Sequence, residues 1–532
     1  MNDNWFTAGT VGLLAALGAA TPAAAAEAGR PNIVLVLTDD EDFKTHAFLP
    51  NVKSLLAEKG AVFDNYFVTY SFCCPSRATA LRGQYAHNHR IVGNDVPSGG
   101  FGKFRELGHE TSTIGTWLQA AGYHTAMLGK YLNHYEPETD APAVGWDEWY
   151  VPGSENYAYF NYWMNENGTP VHYGDRPEDY LTDVMTRRVV SIIEQQAMAD
   201  QPFFLYVAPY APHSPATTAP RHADLFADQN YPRGPAFDEA DVGDKPSSVR
   251  DLPRLAEWEL EAIDRHHRER ARSMQSVDEM VQQIVAALER TGEIDNTFIV
   301  YASDNGFHQG EHRMFFGKTT AYEEDIHVPL IARGPDIPAG VKLKPFVLNT
   351  DLAPTLAAMA GVTPPSFVDG RSFLPLVQDP SRRWRQGFMT ERYQGERHEL
   401  TGTAKFGALR TAEWSYVEYG NGERELYDLI RDPYQTQNRV DQAEPAFVAG
   451  LSQRLAELAN CAGSGCREFE DRQLAPAHVP VAEAPSGTKP LASPTLVELP
   501  PTALTAKPQP AVARTSTDGS GAKAATPAVA NP

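Results

Sequence analysis

From Pro31 to about residue 375 the chain alternates short apolar runs with longer stretches whose apolar residues recur at helical spacing. Between Asn32 and Thr38 the run Ile-Val-Leu-Val-Leu is uninterrupted and ends at Asp39-Asp40, as a strand covered on both faces must be. Residues 123–128, 203–208 and 298–302 read the same way. Met274, Val277, Met280, Val281, Ile284, Val285 and Leu288 fall on one helical face, and Thr291-Gly292 marks its end. Strands alternating with amphipathic helices predict an α/β fold, a large mixed, mostly parallel sheet sandwiched by helices. The charged run from Asp264 to Arg272, with His266-His267 inside it, reads as the solvated face of its helix.

The pattern changes near residue 385. Trp414-Ser-Tyr-Val-Glu-Tyr419 runs into Asn421-Gly422, a hairpin signal, and Glu425-Leu-Tyr-Asp428 supplies the return strand. A helix is expected over 446–458, with Pro445 at its first turn. The chain therefore divides into a leader over 1–26, a large domain over 30–384 and a C-terminal α+β unit over 385–470. That last unit holds a small antiparallel sheet plus a helix, and a Pro/Ala-rich disordered tail follows over 471–532. The Tyr- and Trp-rich stretch 148–175 is expected to form loops that shape a substrate site.

Composition narrows the function. With 68 acidic and 46 basic residues the net charge is −22, which argues against nucleic-acid binding and requires a local cationic site for any anionic substrate. The apolar stretch from Ala8 to Ala20 is too short to span a bilayer, which takes ~20 residues. Its small-residue end before Glu27 fits a signal peptide and a secreted or periplasmic protein, although the preceding MNDNWF carries no Lys or Arg. A flexible N-terminus on a cytosolic protein is the alternative. No other segment is apolar enough to be an integral membrane span. Of four cysteines, Cys461 and Cys466 flank Ala-Gly-Ser-Gly and can close a small disulfide. Cys73 and Cys74 are neighbours, a geometry that disfavours pairing with each other.

Four expected strands run into polar residues: Asp39-Asp40, Gly129-Lys130, Pro212-His213 and Asp304-Asn305-Gly306. Ligands of open α/β sheets bind beyond the carboxyl ends of the strands, so four such ends on one edge make a site. Singly, each also fits a turn, a cap or a solvated loop. Asp39, Asp40, Asp304 and Asn305 together offer the oxygens that Ca²⁺ or Mg²⁺ takes, and no His/Cys spacing fits zinc. Such an ion beside Arg77, Lys130 and Lys318 suits a tetrahedral oxyanion ester, either phosphate or sulfate.

Cys73-Cys-Pro-Ser-Arg77 followed by Ala-Thr-Ala-Leu-Arg-Gly83 resembles the C-x-P-S-R…R-G signature of the formylglycine-dependent (type I) sulfatases, in the alkaline-phosphatase-like superfamily. Gly129-Lys-Tyr-Leu-Asn133, Asp304-Asn-Gly-Phe-His-Gln-Gly310 and Glu425-Leu-Tyr-Asp-Leu-Ile-Arg-Asp-Pro433 are similar to the branch of N-acetylglucosamine-6-sulfatases and extracellular endosulfatases. The resemblance runs from Pro31 to about Asn438 and implies an alkaline-phosphatase-like fold and a sulfatase.

It further implies that Cys73 is oxidised to formylglycine by a maturation enzyme and that Cys74 fills a variable position. The metal ligands would be Asp39, Asp40, Cys73, Asp304 and Asn305, around Ca²⁺ or alternatively Mg²⁺. Arg77 would hold the modified residue, Lys130 and Lys318 the sulfate, and His213 the leaving oxygen. His308 is a candidate substrate contact or a structural cap. Many arylsulfatases have G-K-x-H, whereas here Leu132 stands at the histidine position, which leaves the leaving-group acid open. The implied substrate is a sulfated carbohydrate such as N-acetylglucosamine 6-sulfate, or an aryl sulfate. Alternatives are a phosphonate monoester or phosphodiester hydrolase of the same superfamily, and a catalytically dead carbohydrate-binding protein.

Overall fold

The computed structural model describes residues 29–154, 157–199, 201–393 and 405–473. The leader expected over 1–26 and nearly all of the tail expected over 471–532 lie outside the described residues. A ten-stranded sheet forms the centre. In its middle Asn32–Thr38 lies between Phe203–Ala208 and Thr297–Ser303, with His124–Gly129 next to Phe203–Ala208, all four parallel. Alternation along Asn32–Thr38 sends Ile33, Leu35 and Leu37 into one apolar layer and Val34 and Val36 into the other. The first layer is covered by the helices Cys73–Arg82, Ile114–Ala120 and Leu352–Met359, the second by Leu181–Gln196 and Glu257–Thr291. Burial on both faces is why these strands read as continuous apolar runs.

The sheet is mixed at its flanks. Leu330–Arg333 pairs antiparallel with Thr297–Ser303, and Tyr162–Glu166 pairs antiparallel with both Glu148–Pro152 and Thr169–Tyr173. The stretch expected as substrate loops is thus largely sheet edge. Its turn is Asn167-Gly168, both at positive φ (53° and 90°), the backbone that an Asn-Gly hairpin supplies.

The helix Glu257–Thr291 buries all seven periodic apolar residues and stops at Gly292 in the left-handed conformation (φ 80°). It also corrects the reading of His266-His267 as a solvated face. His267 is buried and His266 half-buried, because His267 lies two turns before Met274 and so shares its face. Arg270, one turn before Met274, is fully buried as well.

The strands Gly387–Arg392, Phe406–Thr411, Trp414–Tyr419 and Arg424–Asp428 form a separate four-stranded antiparallel sheet, and the helix Pro445–Ala459 follows. Cys461 and Cys466 are joined in a disulfide, while Cys73 and Cys74 are free thiols. Among the described residues no helix is long and apolar enough to cross a membrane.

Candidate functional site

Because the four central strands are parallel, the polar residues that follow them collect along one edge of the sheet. The turn at Asp40 needs φ 65°, uncommon for a residue with a side chain, and it is held from two sides. Its N–H donates to Asp304 Oδ1 (3.1 Å), and its carbonyl accepts from Arg270 Nη2 (2.5 Å). Arg270 also donates to Asp42 Oδ2 (2.8 Å) and to the Pro212 carbonyl (3.3 Å), tying the aspartate turn to the His213 loop.

Cys73 is the first residue of the helix Cys73–Arg82, after Phe72 in extended conformation. Cys74 N–H donates to Asn94 Oδ1 (2.9 Å), and Arg77, one turn on, lies on the face of Cys73. The Cys73 Sγ stands 3.7 Å from Asp39 Oδ1 and 2.7 Å from Lys318 Nζ. Arg77 donates from Nε to Asp304 Oδ2 (2.8 Å) and from Nη1 to the Lys130 carbonyl (2.9 Å). Its Nη2 makes no hydrogen bond and lies 3.5 Å from Asp39 Oδ2. Lys130 Nζ contacts Asp39, and Lys318 Nζ contacts Asp40. The structure therefore brings Asp39, Asp40, Cys73, Arg77, Lys130, His213, Asp304, Asn305 and Lys318 together. His308 lies beneath the lysine loop, with its backbone paired to Gly317 and its Nδ1 2.9 Å from Asp325.

Electrostatics set the protonation of these groups. Burial works against the charge on Asp39 and Asp40, yet Lys130 for the first and Lys318 for the second hold both carboxyls below the usual range. Asp304 is pushed up to about 6 by burial and by the charge of Asp39. Burial also pushes the Cys73 thiol up to about 11, against the pull of Lys130 and Lys318, so an unmodified thiol is protonated at neutral pH. The three carboxylates face three permanent cations, Arg77, Lys130 and Lys318, and cancel them before any ion or substrate is added.

His213 is taken down to about 4 by burial. Its Nδ1 lies 2.6 Å from the Ser214 carbonyl, which only accepts, so Nδ1 carries the proton in the neutral ring and Nε2 is bare. That Nε2 faces Asp40 Oδ2 at 3.7 Å.

The donor set fits a hard cation. Ligand atoms of Asp39, Asp40, Cys73 and His213 all lie within 4.8 Å of one another. Asn305 donates its amide to Asp40 Oδ1 (2.6 Å) and leaves its own Oδ1 buried without a hydrogen-bond partner. An unsatisfied buried oxygen among carboxylates is what an oxygen-coordinated divalent ion would complete. Asp304 accepts from the Asp40 N–H on one oxygen and from Arg77 Nε on the other, and Asp39 likewise accepts from Cys73 Sγ and from Lys130 Nζ.

Three residues were not foreseen. Arg270 could have been found from its helical phase, four residues before Met274. His266, Nε2 2.8 Å from Ser214 Oγ and Nδ1 3.0 Å from Gln309 Oε1, carried the same signal. Tyr157 stacks on the His213 ring (centroids 3.7 Å apart), lies under Lys130 Nζ (4.6 Å) and accepts from Asn133 Nδ2 (2.9 Å). It lies in the aromatic stretch 148–175 expected to shape a substrate site, but nothing local singles it out there, because its contact with His213 joins residues far apart in the chain.

Comparison with known proteins bears on what this arrangement does. A family model described as Sulfatase matches residues 31–362, and one described as N-sulphoglucosamine sulphohydrolase, C-terminal, matches residues 310–461. The chain is 33% identical over 482 residues to the N-acetylglucosamine-6-sulfatase of Homo sapiens, covering 83% of this chain and 87% of that protein. It is 36% identical over 373 residues to the extracellular sulfatase SULF-1 homolog of Drosophila melanogaster, covering 68% of this chain but 33% of that protein. A solved structure described as a complex with its substrate D-glucosamine-2-N,6-O-disulfate superimposes with a TM-score of 0.68 at 25% identity, covering 84% of this chain and 99% of that one.

Proposed function

The chain belongs to the sulfatase family and is a sulfuric ester hydrolase, and from that premise we propose that it removes sulfate from a sugar, with N-acetylglucosamine 6-sulfate the first candidate. The reading rests on the position of Cys73, first in a buried helix and within 2.7 Å of Lys318 Nζ. The family's C-x-P-S-R signature at Cys73 makes the working group the formylglycine that a maturation enzyme forms there, in keeping with a thiol that burial pushes up to about 11 and so keeps a poor nucleophile at neutral pH. In its hydrated form that residue supplies an oxygen nucleophile toward sulfur. A divalent ion, Ca²⁺ by the oxygen-rich donor set, would be held by Asp39, Asp40, Asp304, Asn305 and residue 73 and supply Lewis-acid charge.

The chain's other groups have separable roles. Arg77 has a free Nη2 to hold the oxygen on residue 73. Lys130 and Lys318 bind the non-reacting sulfate oxygens and stabilise charge as it develops there. Asp304 engages Arg77 and the Asp40 N–H, which fixes both the guanidinium and the aspartate turn. The bare Nε2 of His213 takes up the proton that the attacking hydroxyl of residue 73 gives up and passes it to the sugar oxygen as the bond from that oxygen to sulfur breaks. Neither position after Lys130 supplies a second histidine for this proton transfer, because Leu132 is packed in the apolar layer and His134 is paired with Asp95. His308, anchored by Asp325, steadies the lysine loop beneath the substrate. Secretion fits the apolar leader, the Cys461–Cys466 disulfide and the extracellular relative.

The test is mass spectrometry of the peptide containing Cys73 from active protein made in its native host, with turnover measured on matched aryl sulfate and aryl phosphonate esters. An aldehyde at residue 73 and faster cleavage of the sulfate are expected. A wholly unmodified thiol in active protein overturns the mechanism, and preference for the phosphonate overturns the substrate class.

A further inference from the structure

The helix that clamps the aspartate turn through Arg270 begins at Glu257, and near that end Trp258 is 63% exposed, the most open of the large aromatic side chains among the described residues. From it an unbroken series of rings leads toward the site. Trp258 meets Phe315 edge-on (5.5 Å), Phe315 lies 4.0 Å from Phe316, and Phe316 lies 4.7 Å from His266. His266 bonds Ser214, the neighbour of His213, and Phe316 is separated from Lys318 only by Gly317. Trp258 and His266 are two turns apart on one helix, so the series spans about 12 Å, more than one sugar ring.

An exposed aromatic ring continuous with a polar site is a surface on which the apolar face of a ligand can be buried. An indole face offers a large, rigid surface, and the apolar C–H face of a pyranose is the part of a sugar that lies flat on it. Phe315 and Phe316, half-buried, continue that surface inward. We propose that Trp258, Phe315 and Phe316 form a stacking platform for sugar rings beyond the one that carries the reacting sulfate, so that the substrate is a sulfated oligosaccharide. The proposal rests on the sulfatase reading above. It adds a binding surface outside the cluster of charged residues and sets the length of chain the enzyme prefers.

The experiment compares Trp258→Ala and Phe315→Ala with the parent enzyme on 4-nitrophenyl sulfate, on N-acetylglucosamine 6-sulfate and on a 6-O-sulfated tetrasaccharide. Both variants should raise KM for the tetrasaccharide about three- to tenfold and lower its kcat/KM relative to the aryl sulfate by the same factor. An equal loss on all three substrates, or none on the tetrasaccharide, overturns the platform. Calorimetric titration of Cys73→Ala protein with the tetrasaccharide, with and without Trp258→Ala, reads binding without turnover, and identical affinities also overturn it. Should the parent enzyme cleave no sulfate ester, the reading of the reaction falls, while the titration still decides the platform.

Discussion

Around Arg385 a buried guanidinium donates from Nε to Glu470 Oε2 (2.8 Å), from its terminal nitrogens to both oxygens of Asp351 (2.7 and 3.0 Å), and to the Phe346 carbonyl (3.0 Å). Glu470 is completed by Tyr85 (2.6 Å) and Arg371 (2.8 Å). Arg77 is as deeply buried and also faces two carboxylates, yet its Nη2 is left over, and Asn305 Oδ1 nearby is left over too. The first cluster is closed around Arg385, whose three nitrogens all donate to protein acceptors, and it fastens the helix Ser464–Glu470 to the turn at Asp351, with only Arg371 Nε at its rim left without a partner. The second is open. Each unsatisfied buried polar group costs about 1–3 kcal/mol, and that cost is recovered when a ligand supplies the missing partner. Similar residue types thus serve adhesion in one place and chemistry in another, and the difference lies in which hydrogen-bonding capacity the fold leaves unused.

The sharpest break in this contrast is at the nucleophile. Cys73→Ala should lower kcat/KM about a thousandfold or more, while Cys74→Ala stays within about tenfold of the parent. Equal losses would assign the chemistry to the wrong cysteine. Next, removing divalent ions with a chelator should cut turnover about a hundredfold, with Ca²⁺ restoring more of it than Mg²⁺. Full activity after exhaustive chelation would show that the unsatisfied oxygen of Asn305 serves something other than an ion.

In the closed cluster, Arg385→Met leaves Asp351 buried without its ion-pair partner and Glu470 with Arg371 alone, and should destabilise the protein by about 3–5 kcal/mol, read as a shift in urea midpoint. Turnover per folded molecule should stay within about threefold of the parent, and a selective loss of kcat would erase the distinction between the clusters.

The smallest effect concerns a buried carboxylate with hydrogen bonds but no cation. Asp278 accepts from Asn51 N (3.1 Å), Asn51 Nδ2 (2.7 Å) and Val52 N (2.9 Å), yet burial still pushes it up to about 6. Its folded pKa lies above the unfolded value near 3.9, so its contribution is fully present below about pH 4 and is lost as pH rises through about 6, by roughly 1–3 kcal/mol. Denaturant midpoints of the parent minus those of Asp278→Asn should therefore fall between pH 4 and pH 7. A flat difference would mean that the three donors fully offset its burial.

The strands of the main sheet were legible because strands covered on both faces are apolar throughout, and the acidic residues that end them stand out against that background. Cys73, Arg77 and Gly83 were legible through a signature. The His266–Arg270 segment was not, since its density of charge concealed a helical phase that continues straight from Met274. In 148–175 the aromatic content drew attention away from Asn167-Gly168, the local signal for the hairpin that is present. For Tyr157 the aromatic stretch 148–175 pointed to the region but not to the residue, since its contact with His213 joins residues far apart in the chain. The sequence likewise names Asp304 and Asn305 alike, while only the fold separates the one whose oxygens are occupied from the one whose oxygen is bare.

The helix Glu257–Thr291 runs without interruption from Trp258 past Arg270, which grips the Asp40 carbonyl. At 1.5 Å per residue the interval between those two side chains is about 18 Å, and it does not stretch. The helix is therefore a ruler. On the proposed platform, one end is anchored to the residues around Cys73 and the other would lie against incoming chain, so that the distance between them would set how far from that contact a sulfate must sit to be removed. Adding one turn between Trp258 and His266 would move the mark by about 5.4 Å and change which sulfate is taken, while the chemistry at Cys73 is left in place.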